Sequence, residues 1–352
     1  MSKSKWKSYT PEGVQDQLFD SCLMKRNLEA EVRNYFRSCG YREIETPILE
    51  FYDTYASDKV IIDQESMFKL VDQRGRLLVL RPDMTVPVAR AIATKMRSYS
   101  FPIKCFYIGD CFSFNESGGG RLREFSQAGI EFVGAKGAQT DAECIVMAIE
   151  ALLRAGVTEF QIDLGQVEFF KGLMDEAGLE ADEMEVVRQL IDSKDLIGLE
   201  RLLDKGVMSE DIKKLVLNMP ALFGTVDIID KLMEMGLNKR CKKALINLRE
   251  IYTILENSGY GKYVSIDLGF VQSLDYYTGL IFKGFTYEVG FPILTGGRYD
   301  NLVAEFGLDV PATGFSLGLN MLMMALENQN RAGRSYTTEQ QPEILMAAEV
   351  DK

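Results

Sequence analysis

The stretch Cys105–Val133, which reads CFYIGDCFSFNESGGGRLREFSQAGIEFV, decides the fold of this chain. It begins and ends with short strand-like runs, Cys105–Gly109 and Gly129–Val133. The segment between them includes Gly118–Gly129, a flexible loop that carries basic residues. A glycine-rich loop between two such runs is typical of a hairpin turn, so an antiparallel pair of strands is expected here.

Upstream of this hairpin, the pattern predicts one helix and then short strands. Apolar residues recur at three- and four-residue steps over Asp16–Cys39, and Gly40 stands where a helix C-cap belongs. Tyr41–Pro47 alternates like a strand and ends at a proline. Two further strands are expected at Met67–Val71 and Leu77–Arg81.

Downstream, Thr140-Asp-Ala-Glu143 has the form of a capping box and predicts a helix that ends near Gly156. Later strands are expected at Leu280–Phe282 and Phe285–Val289, and Gly314–Glu327 runs from strand into helix. Strands separated by turns, with the helices grouped before, between and after them, favour an α+β fold with an antiparallel sheet.

A tetrapeptide occurs twice, as Ile162-Asp-Leu-Gly165 and as Ile266-Asp-Leu-Gly269. The residues between the two copies have helical periodicity, so they are expected to form an insertion that leaves one sheet and returns to it. Coincidence is the alternative explanation for so short a repeat. We therefore expect a core of residues 1–163 and 264–327, a mainly helical insertion of residues 164–263, and a tail of residues 328–352.

Composition excludes several classes of function. The 352 residues include 40 basic and 52 acidic ones, giving a formal charge of −12, with six cysteines and no histidine. A Ser-His-Asp system, a histidine general base and an imidazole metal ligand are therefore impossible. The cysteines contain no C-x-x-C pair, so neither a zinc ribbon nor a disulfide framework is expected, and we predict buried thiols, no metal and no cofactor.

Charge and hydropathy also bear on partners and location. No apolar run approaches the roughly 18 residues that a membrane span needs. Met1–Tyr9 has three lysines without an apolar stretch behind them, so it does not resemble a signal peptide, and a cytoplasmic location is expected. The charge of −12 disfavours binding to nucleic acid, although a local basic patch would be compatible with it.

Four stretches carry candidate chemistry: Leu80-Arg-Pro-Asp-Met-Thr85, Gly118–Gly129, Val271-Gln-Ser-Leu-Asp-Tyr-Tyr-Thr-Gly279 and Thr295-Gly-Gly-Arg-Tyr-Asp300. Each alone is compatible with a turn, a strand or a helix cap. In this order and spacing they resemble the class II histidyl-tRNA synthetases over roughly residues 10–327. Pro47 is similar to the motif 1 proline, Phe106–Asn115 with its loop to motif 2, and Gly314-Phe-Ser-Leu-Gly318 to motif 3.

The resemblance also shows where this chain departs from the synthetases. Adenylate formation brings a carboxylate against a phosphate, and losing one cationic stabiliser typically costs on the order of 10²–10³ in rate. The family places arginines at three positions that are neutral here. Ser113, Gln272 and Met321 occupy the three arginine positions. Asn115 and Asn320 stand where the family has glutamates. We therefore expect a site with no catalytic residues.

The amino-acid side of the site is retained. The positions that surround histidine in the synthetases correspond here to Asp83, Thr85, Gln127, Glu131, Tyr276 and Tyr277. Carboxylates can accept from an α-ammonium and an imidazole N–H, and aromatic hydroxyls can complete such a set. Asp83 is one methylene shorter than the family's glutamate, and the two tyrosines are also compatible with simple packing in a sheet.

A retained histidine pocket without the ATP arginines resembles the regulatory subunits of ATP phosphoribosyltransferase, a synthetase-like family. The resemblance implies a non-catalytic subunit in a hetero-oligomer with the short-form catalytic subunit, required for the first step of histidine biosynthesis and for feedback inhibition by L-histidine. It also implies a homodimer through Arg26–Pro47, with Leu28, Val32 and Tyr35 as candidate contacts.

Two alternatives remain open from the sequence. One is a minimal histidyl-tRNA synthetase whose lost arginines are replaced from elsewhere, and the other is a stand-alone histidine sensor. Aminoacylation of tRNA is disfavoured because 25 residues follow Glu327, fewer than the family's anticodon-binding domain requires. Arg121 and Arg123 are compatible with a phosphate contact or with solvated loop charges. The absence of histidine would let this chain be translated when histidyl-tRNA is scarce, although drift would give the same result.

Overall fold

The computed structural model describes residues 5–56, 64–114, 122–204, 208–271, 277–287 and 289–331. Over these residues the strands are β1 (Arg42–Glu43), β2 (Leu49–Phe51), β3 (Lys69–Val71), β4 (Leu77–Leu80), β5 (Ile103–Phe112), β6 (Glu124–Val133), β7 (Phe160–Gln166), β8 (Phe223–Gly224), β9 (Val264–Asp267), β10 (Leu280–Thr286), β11 (Leu294–Arg298) and β12 (Ala312–Gly318).

The helices flank these strands and fill the segment between β7 and β9. They are α1 (Phe19–Ser38), α2 (Thr85–Lys95), α3 (Ala138–Ala155), α4 (Val167–Ala177), α5 (Ala181–Asp192), α6 (Leu196–Leu203), α7 (Glu210–Asn218), α8 (Asp227–Met233), α9 (Lys239–Asn257), α10 (Leu302–Glu305) and α11 (Leu319–Arg331). No helix in the described ranges has the length and hydropathy of a membrane span.

Nine strands form one sheet in the order β1-β5-β6-β12-β11-β10-β7-β9-β8, and β2-β4-β3 form a small separate sheet. The predicted α+β architecture is confirmed, and most neighbouring strands are antiparallel as expected. Two pairs are parallel, β1 with β5 and β7 with β9, so the sheet is mixed at these two positions. In both pairs a long connection containing helix separates the strands, which is what parallel neighbours require.

The quoted stretch forms the predicted hairpin. Strands β5 and β6 pair over their whole length, from Ile103 opposite Val133 to Phe112 opposite Glu124. Both strands extend further toward the loop than the apolar runs indicated, β5 through Phe112 and β6 from Glu124. The hairpin lies next to β1 on one side and β12 on the other, near one end of the large sheet.

Helices α1 and α3 cover one face of the hairpin. Leu28, Val32 and Phe36 of α1 are buried in the same core as Ile145 and Ile149 of α3. Helix α1 ends as predicted: the Gly40 N–H donates to the Arg37 carbonyl oxygen, and Gly40 has φ +83°, which glycine adopts without strain.

The predicted capping box at Thr140–Glu143 was wrong. Helix α3 begins at Ala138 after Gly137, so Thr140 lies inside its first turn. Asp141 is buried and pairs with Arg298, while Glu143 pairs with Lys104 at the surface. Glu143, which the pattern assigned to capping, thus has a tertiary partner instead.

The two copies of the repeated tetrapeptide lie side by side. Strands β7 and β9 pair in parallel, and the Ser265 hydroxyl donates to the Asp163 carboxylate at 2.6 Å. Helices α4 to α9 lie between these strands along the chain, as a block that leaves the sheet and returns to it would require. The division into a core, an insertion of residues 164–263 and a tail remains a proposal.

Candidate functional site

One face of the β5–β6 hairpin carries the centre of the site. Gln127, Gly129 and Glu131 share this face of β6 because side chains alternate along a strand. Their direct partners on β5 are Gly109, Tyr107 and Cys105, respectively. Gly129 leaves room for the neighbouring aromatic ring: a Cβ there would lie 2.5 Å from the Tyr107 hydroxyl.

Five of the six sequence-predicted ligand residues come together on this face: Asp83, Thr85, Gln127, Glu131 and Tyr277, here called the polar cluster. Asp83 and Thr85 lie at the start of α2, and Tyr277 precedes β10. All but Glu131 are partly exposed, so the cluster reaches the surface. Tyr276, the sixth residue, lies outside the described residues.

Glu131 is the most enclosed carboxyl of the cluster, with 1% of its surface exposed. Its Oε2 accepts a hydrogen bond from the Tyr299 hydroxyl, while its Oε1 has no hydrogen-bond partner among the described residues. Burial raises the pKa of the Glu131 carboxyl to about 8, although the nearby hydroxyls of Tyr299 and Thr85 act in the opposite direction. One acceptor oxygen is thus held and the other is free to receive a donor.

Asp83 offers a second acceptor of the same kind. Its Oδ2 accepts from the Val86 N–H at 3.3 Å, and its buried Oδ1 lacks a partner within the described ranges. Burial raises the pKa of the Asp83 carboxyl to about 7, and the N–H groups of Val86 and Thr85 oppose that rise. The carboxyl therefore lies against the first turn of α2, where backbone N–H groups favour its charged form.

Tyrosines form the walls around the two carboxyls. The hydroxyl of Tyr55 lies near Asp83 and that of Tyr107 near Glu131, and neither completes a hydrogen bond of good geometry with another described residue. Burial, and then the charges of Glu131 and Asp83, raise the pKa of Tyr277. These phenols are therefore neutral donors at neutral pH.

Three of the wall residues, Tyr55, Tyr107 and Tyr299, were missed by the sequence reasoning. Two of them lie in stretches that had been singled out, and strand alternation relative to Gln127 would have placed Tyr107 on the correct face. Tyr299 follows β11 in Gly-Gly-Arg-Tyr-Asp, where no periodicity indicates its direction. Tyr55 lies in a connecting segment that carried no pattern.

Gln127 is oriented by a thiol. The Cys111 Sγ lies 3.3 Å from Gln127 Oε1 and donates to it. Burial raises the pKa of Cys111 well above its ordinary value, so the thiol keeps the proton it donates. Four of the six cysteines are buried, as predicted, but Cys39 is exposed and Cys22 is partly exposed.

Arg81, the arginine of the Arg-Pro stretch, stabilises the backbone around the site and is not directed toward a ligand. Arg81 is buried and donates to the carbonyl oxygens of Thr46, Asp110 and Pro47 at 2.6, 2.8 and 3.4 Å. These contacts fix the segment around Pro47 to the hairpin. Arg81, whose charge lowers the pKa of Asp83, is therefore already hydrogen bonded elsewhere.

The neutral residues at the synthetase arginine and glutamate positions make ordinary structural contacts. The Ser113 N–H donates to the Arg123 carbonyl oxygen at 2.9 Å, and Asn320 Oδ1 accepts from the Ser126 N–H at 2.7 Å. Met321 is partly buried against the core next to Gly318. Asn115 and Gln272 lie outside the described residues.

Arg123 is held against its surroundings. Its guanidinium stacks on the Phe114 ring, with 4.4 Å to the centroid, and donates to the Glu12 carbonyl oxygen at 3.3 Å. The Glu12 carboxylate lies 3.7 Å away. These contacts favour a role in holding the N-terminal segment to the hairpin. Arg121 lies outside the described residues.

A buried ion pair fixes Arg298, the residue that precedes Tyr299. Arg298 donates from Nη2 to Asp141 at 2.7 Å and from Nη1 to Asp300 at 2.9 Å. The Asp300 N–H in turn donates to the Thr278 hydroxyl at 2.9 Å. The Gly-Gly-Arg-Tyr-Asp stretch thus ties β11 to α3 and to the segment before β10. No group of three or more potential metal ligands occurs in the described part of the chain.

Comparison with known proteins supports the same fold and the same relatives. A profile described as histidyl-tRNA synthetase matches residues 13–322. The ATP phosphoribosyltransferase regulatory subunit of Acetivibrio thermocellus is 55% identical over 326 residues, which cover 93% of this chain and 78% of that protein. The subunit of the same description from Ruminiclostridium cellulolyticum is 52% identical over 333 residues, covering 95% and 79%.

A solved structure extends the likeness to three dimensions. The protein described as an ATP phosphoribosyltransferase regulatory subunit/histidyl-tRNA synthetase from Bacillus halodurans C matches with a TM-score of 0.84 at 33% identity. The match covers 91% of this chain and 84% of that chain. The predicted class II synthetase-like fold is confirmed.

Proposed function

Because this chain belongs to the histidyl-tRNA synthetase-like family of ATP phosphoribosyltransferase regulatory subunits, we propose that it binds L-histidine and transmits that binding to a short-form catalytic subunit. The complex would perform the first step of histidine biosynthesis, and histidine would inhibit it. In this function the chain itself performs no chemistry. It acts as the effector-binding part of a hetero-oligomer.

The observation that carries this proposal is the pair of unpartnered acceptor oxygens, Oδ1 of Asp83 and Oε1 of Glu131. Histidine presents two sets of N–H donors, its α-ammonium and its imidazole ring. A buried acceptor without a partner costs free energy, and a ligand donor that reaches it removes that cost. Two such acceptors in one partly exposed cluster fit a small ligand with donors at both ends.

Catalysis of adenylate formation is not part of the proposed function. The described residues at the synthetase arginine positions, Ser113 and Met321, carry no charge, and Asn320 is already hydrogen bonded. Arg123 is held by Phe114 and Glu12. Among the described residues, a phosphate brought against the polar cluster would meet carboxyls and no free cation to balance it.

Inhibition requires that histidine bind with different affinity to two states of the assembly. A coupling free energy of about 1–3 kcal/mol is typical of allosteric effectors and corresponds to a change of roughly 5–150-fold in affinity. Thr85 at the start of α2 and Tyr277 before β10 belong to different elements of the core. A ligand that contacts both could therefore favour one arrangement of these elements over another.

We also propose that the chain forms a homodimer, with a different surface from the one expected. The expected contacts Leu28, Val32 and Tyr35 lie in the chain's own core, so that part of the prediction was wrong. Exposed apolar residues instead occur directly after Pro47 and across the small sheet, at Ile48, Leu49, Phe51, Leu70, Val71 and Leu77. This continuity with the motif 1 segment favours a second copy as the partner of that face.

Calorimetric titration of the full chain tests histidine binding. Glu131→Ala should weaken binding of L-histidine by roughly 1–3 kcal/mol, because a ligand donor loses its acceptor. Glu250→Ala is the matched control, since Glu250 is an exposed glutamate of α9. L-Phenylalanine, which lacks the ring N–H, should bind much more weakly than L-histidine. Absence of histidine binding by the free chain and by its complex would falsify the proposal.

A further inference from the structure

Among the described residues, the two carboxyls of the polar cluster have no cation near them except Arg81, whose donors serve backbone carbonyls. Asp83 and Glu131 each retain one acceptor oxygen that has no partner in the described part of the chain. The charge of Asp83 raises the pKa of Glu131, and the charges of both carboxyls raise the pKa of Tyr277. Two like charges brought together in a buried site are unfavourable.

The groups that face this pair come from every element packed against it. Among the described residues they are Tyr55, Arg81, Cys105, Tyr107, Cys111, Cys144, Tyr277 and Tyr299. Arg81 is the only cation in this set, and its donors serve backbone carbonyls. The others are phenols and thiols, which stabilise a carboxyl without neutralising a negative charge.

Burial without a counter-ion favours the protonated form of a carboxyl. The pKa values of about 7 for Asp83 and about 8 for Glu131 agree with the geometry. The free chain therefore holds carboxylic acids near neutral pH. A carboxylic acid offers one donor and a weaker acceptor, whereas an ammonium ligand requires a carboxylate.

We propose that the polar cluster takes up its ammonium ligand by releasing protons: Asp83 and Glu131 pass from carboxylic acids to carboxylates as the ligand enters, and the released protons go to solvent. This inference rests on the proposed binding of L-histidine. Each O–H bond that breaks leaves its electron pair on the carboxylate oxygen, which then accepts from a ligand N–H. The ligand's ammonium group balances the charge of one carboxylate, and the ring N–H donates to the other.

The sign of the pH dependence follows from this exchange. Because binding releases protons, affinity increases with pH through the range in which the two carboxyls of the free chain titrate. Histidine affinity should rise roughly tenfold or more between about pH 6.5 and 7.5. Feedback inhibition would therefore strengthen as pH rises and weaken under mild acidification.

Calorimetry in two buffers of different ionisation enthalpy, phosphate and Tris, measures the protons released. At about pH 7.5 the wild-type chain should release about one proton per histidine, since the ligand's own ring is mostly neutral there. Glu131→Gln should lower the number of protons released, leaving only the contribution of Asp83. Glu250→Gln, an exposed control, should keep the wild-type value.

A spectroscopic measurement separates protein protons from those of the ligand. In the infrared difference spectrum, carboxylic-acid carbonyl absorption should disappear when L-histidine is added, and Glu131→Gln should lose most of this change. The histidine isostere 1,2,4-triazole-3-alanine, whose ring does not titrate near neutral pH, should give the same result.

The possible outcomes distinguish this inference from the function on which it rests. Histidine binding with equal heats in both buffers and unchanged carboxylic-acid absorption would overturn proton release while leaving histidine binding intact. No binding in either buffer would contradict the proposed function and remove the inference with it. Buffer-dependent heat that Glu131→Gln diminishes supports both.

Discussion

At the scale of single residues, the hydroxyl of Tyr299 determines which oxygen of Glu131 can meet a ligand. It donates to Oε2 and leaves Oε1 free. Tyr299→Phe removes that donor while keeping the ring, so Oε2 becomes a buried acceptor without its partner. We expect histidine binding to weaken by roughly 1–2 kcal/mol, about tenfold in Kd, measured by calorimetry.

The matched control for this variant is Tyr287→Phe, which removes a hydroxyl from a tyrosine with 77% of its surface exposed. It should bind histidine as the wild-type chain does. Equal affinity of Tyr299→Phe and Tyr287→Phe would show that the Tyr299 hydroxyl does not orient Glu131.

A second prediction for single residues concerns the stability of the fold, which the Arg298–Asp141 ion pair contributes to. Both side chains are almost fully buried, and Arg298 makes two close contacts with the Asp141 carboxylate. Arg298→Met leaves that carboxylate buried without its cation, which should lower the free energy of unfolding by about 3–5 kcal/mol in urea denaturation.

An exposed ion pair provides the comparison. Arg249 of α9 pairs with Asp230 of α8, and more than a third of each side chain is exposed. Arg249→Met should therefore change the free energy of unfolding by less than about 1 kcal/mol. A loss of similar size in both variants would contradict the assignment of Arg298 as a buried structural anchor.

At the scale of elements, the small sheet of β2, β3 and β4 carries the proposed dimer surface. The double variant Leu49→Glu/Phe51→Glu places two charges on its exposed face without altering the core. We expect sedimentation to show a dimer for the wild-type chain at micromolar concentration and a monomer for this variant, because buried unpaired charges oppose association.

Ile246→Glu is the control, since Ile246 is an exposed apolar residue on α9. It should remain dimeric. A wild-type chain that sediments only as a monomer, or a double variant that stays dimeric, would argue against this surface.

Elements were predicted well wherever periodicity alone determines them. Helix α1 and the β5–β6 hairpin follow from the spacing of apolar residues, and Gly40 ends the helix as its position indicated. Long-range pairing is less accessible to sequence. Thr140-Asp-Ala-Glu143 was predicted to cap a helix, but Asp141 within it pairs with Arg298, which lies far along the chain, and a local pattern cannot reveal that contact.

Long-range contacts also explain which residues of the site the sequence did not reveal. Asp83, Gln127 and Glu131 were found through motifs, whereas Tyr55 and Tyr299 reach the cluster only through tertiary folding. The α1 residues Leu28 and Val32 illustrate the reverse error. An apolar helix face predicts burial, but it does not say whether the chain's own core or a second copy provides it.

At the scale of the whole molecule, we expect no synthetase chemistry. The described counterparts of the synthetase arginines are neutral, and the total charge is −12. Histidine-dependent exchange of pyrophosphate into ATP should therefore stay at background, since the removal of even one such stabiliser typically costs on the order of 10²–10³ in rate. Exchange clearly above background, abolished by Glu131→Ala, would instead support a minimal synthetase.

The most direct measurement is the activity of a short-form ATP phosphoribosyltransferase catalytic subunit, assayed with and without this chain over a histidine titration. We predict that activity depends on the chain and that L-histidine inhibits it. Complexes containing Glu131→Ala should remain active but require roughly 5–150-fold more histidine for half-inhibition. Activity that is independent of the chain, or inhibition that Glu131→Ala leaves unchanged, would contradict the account.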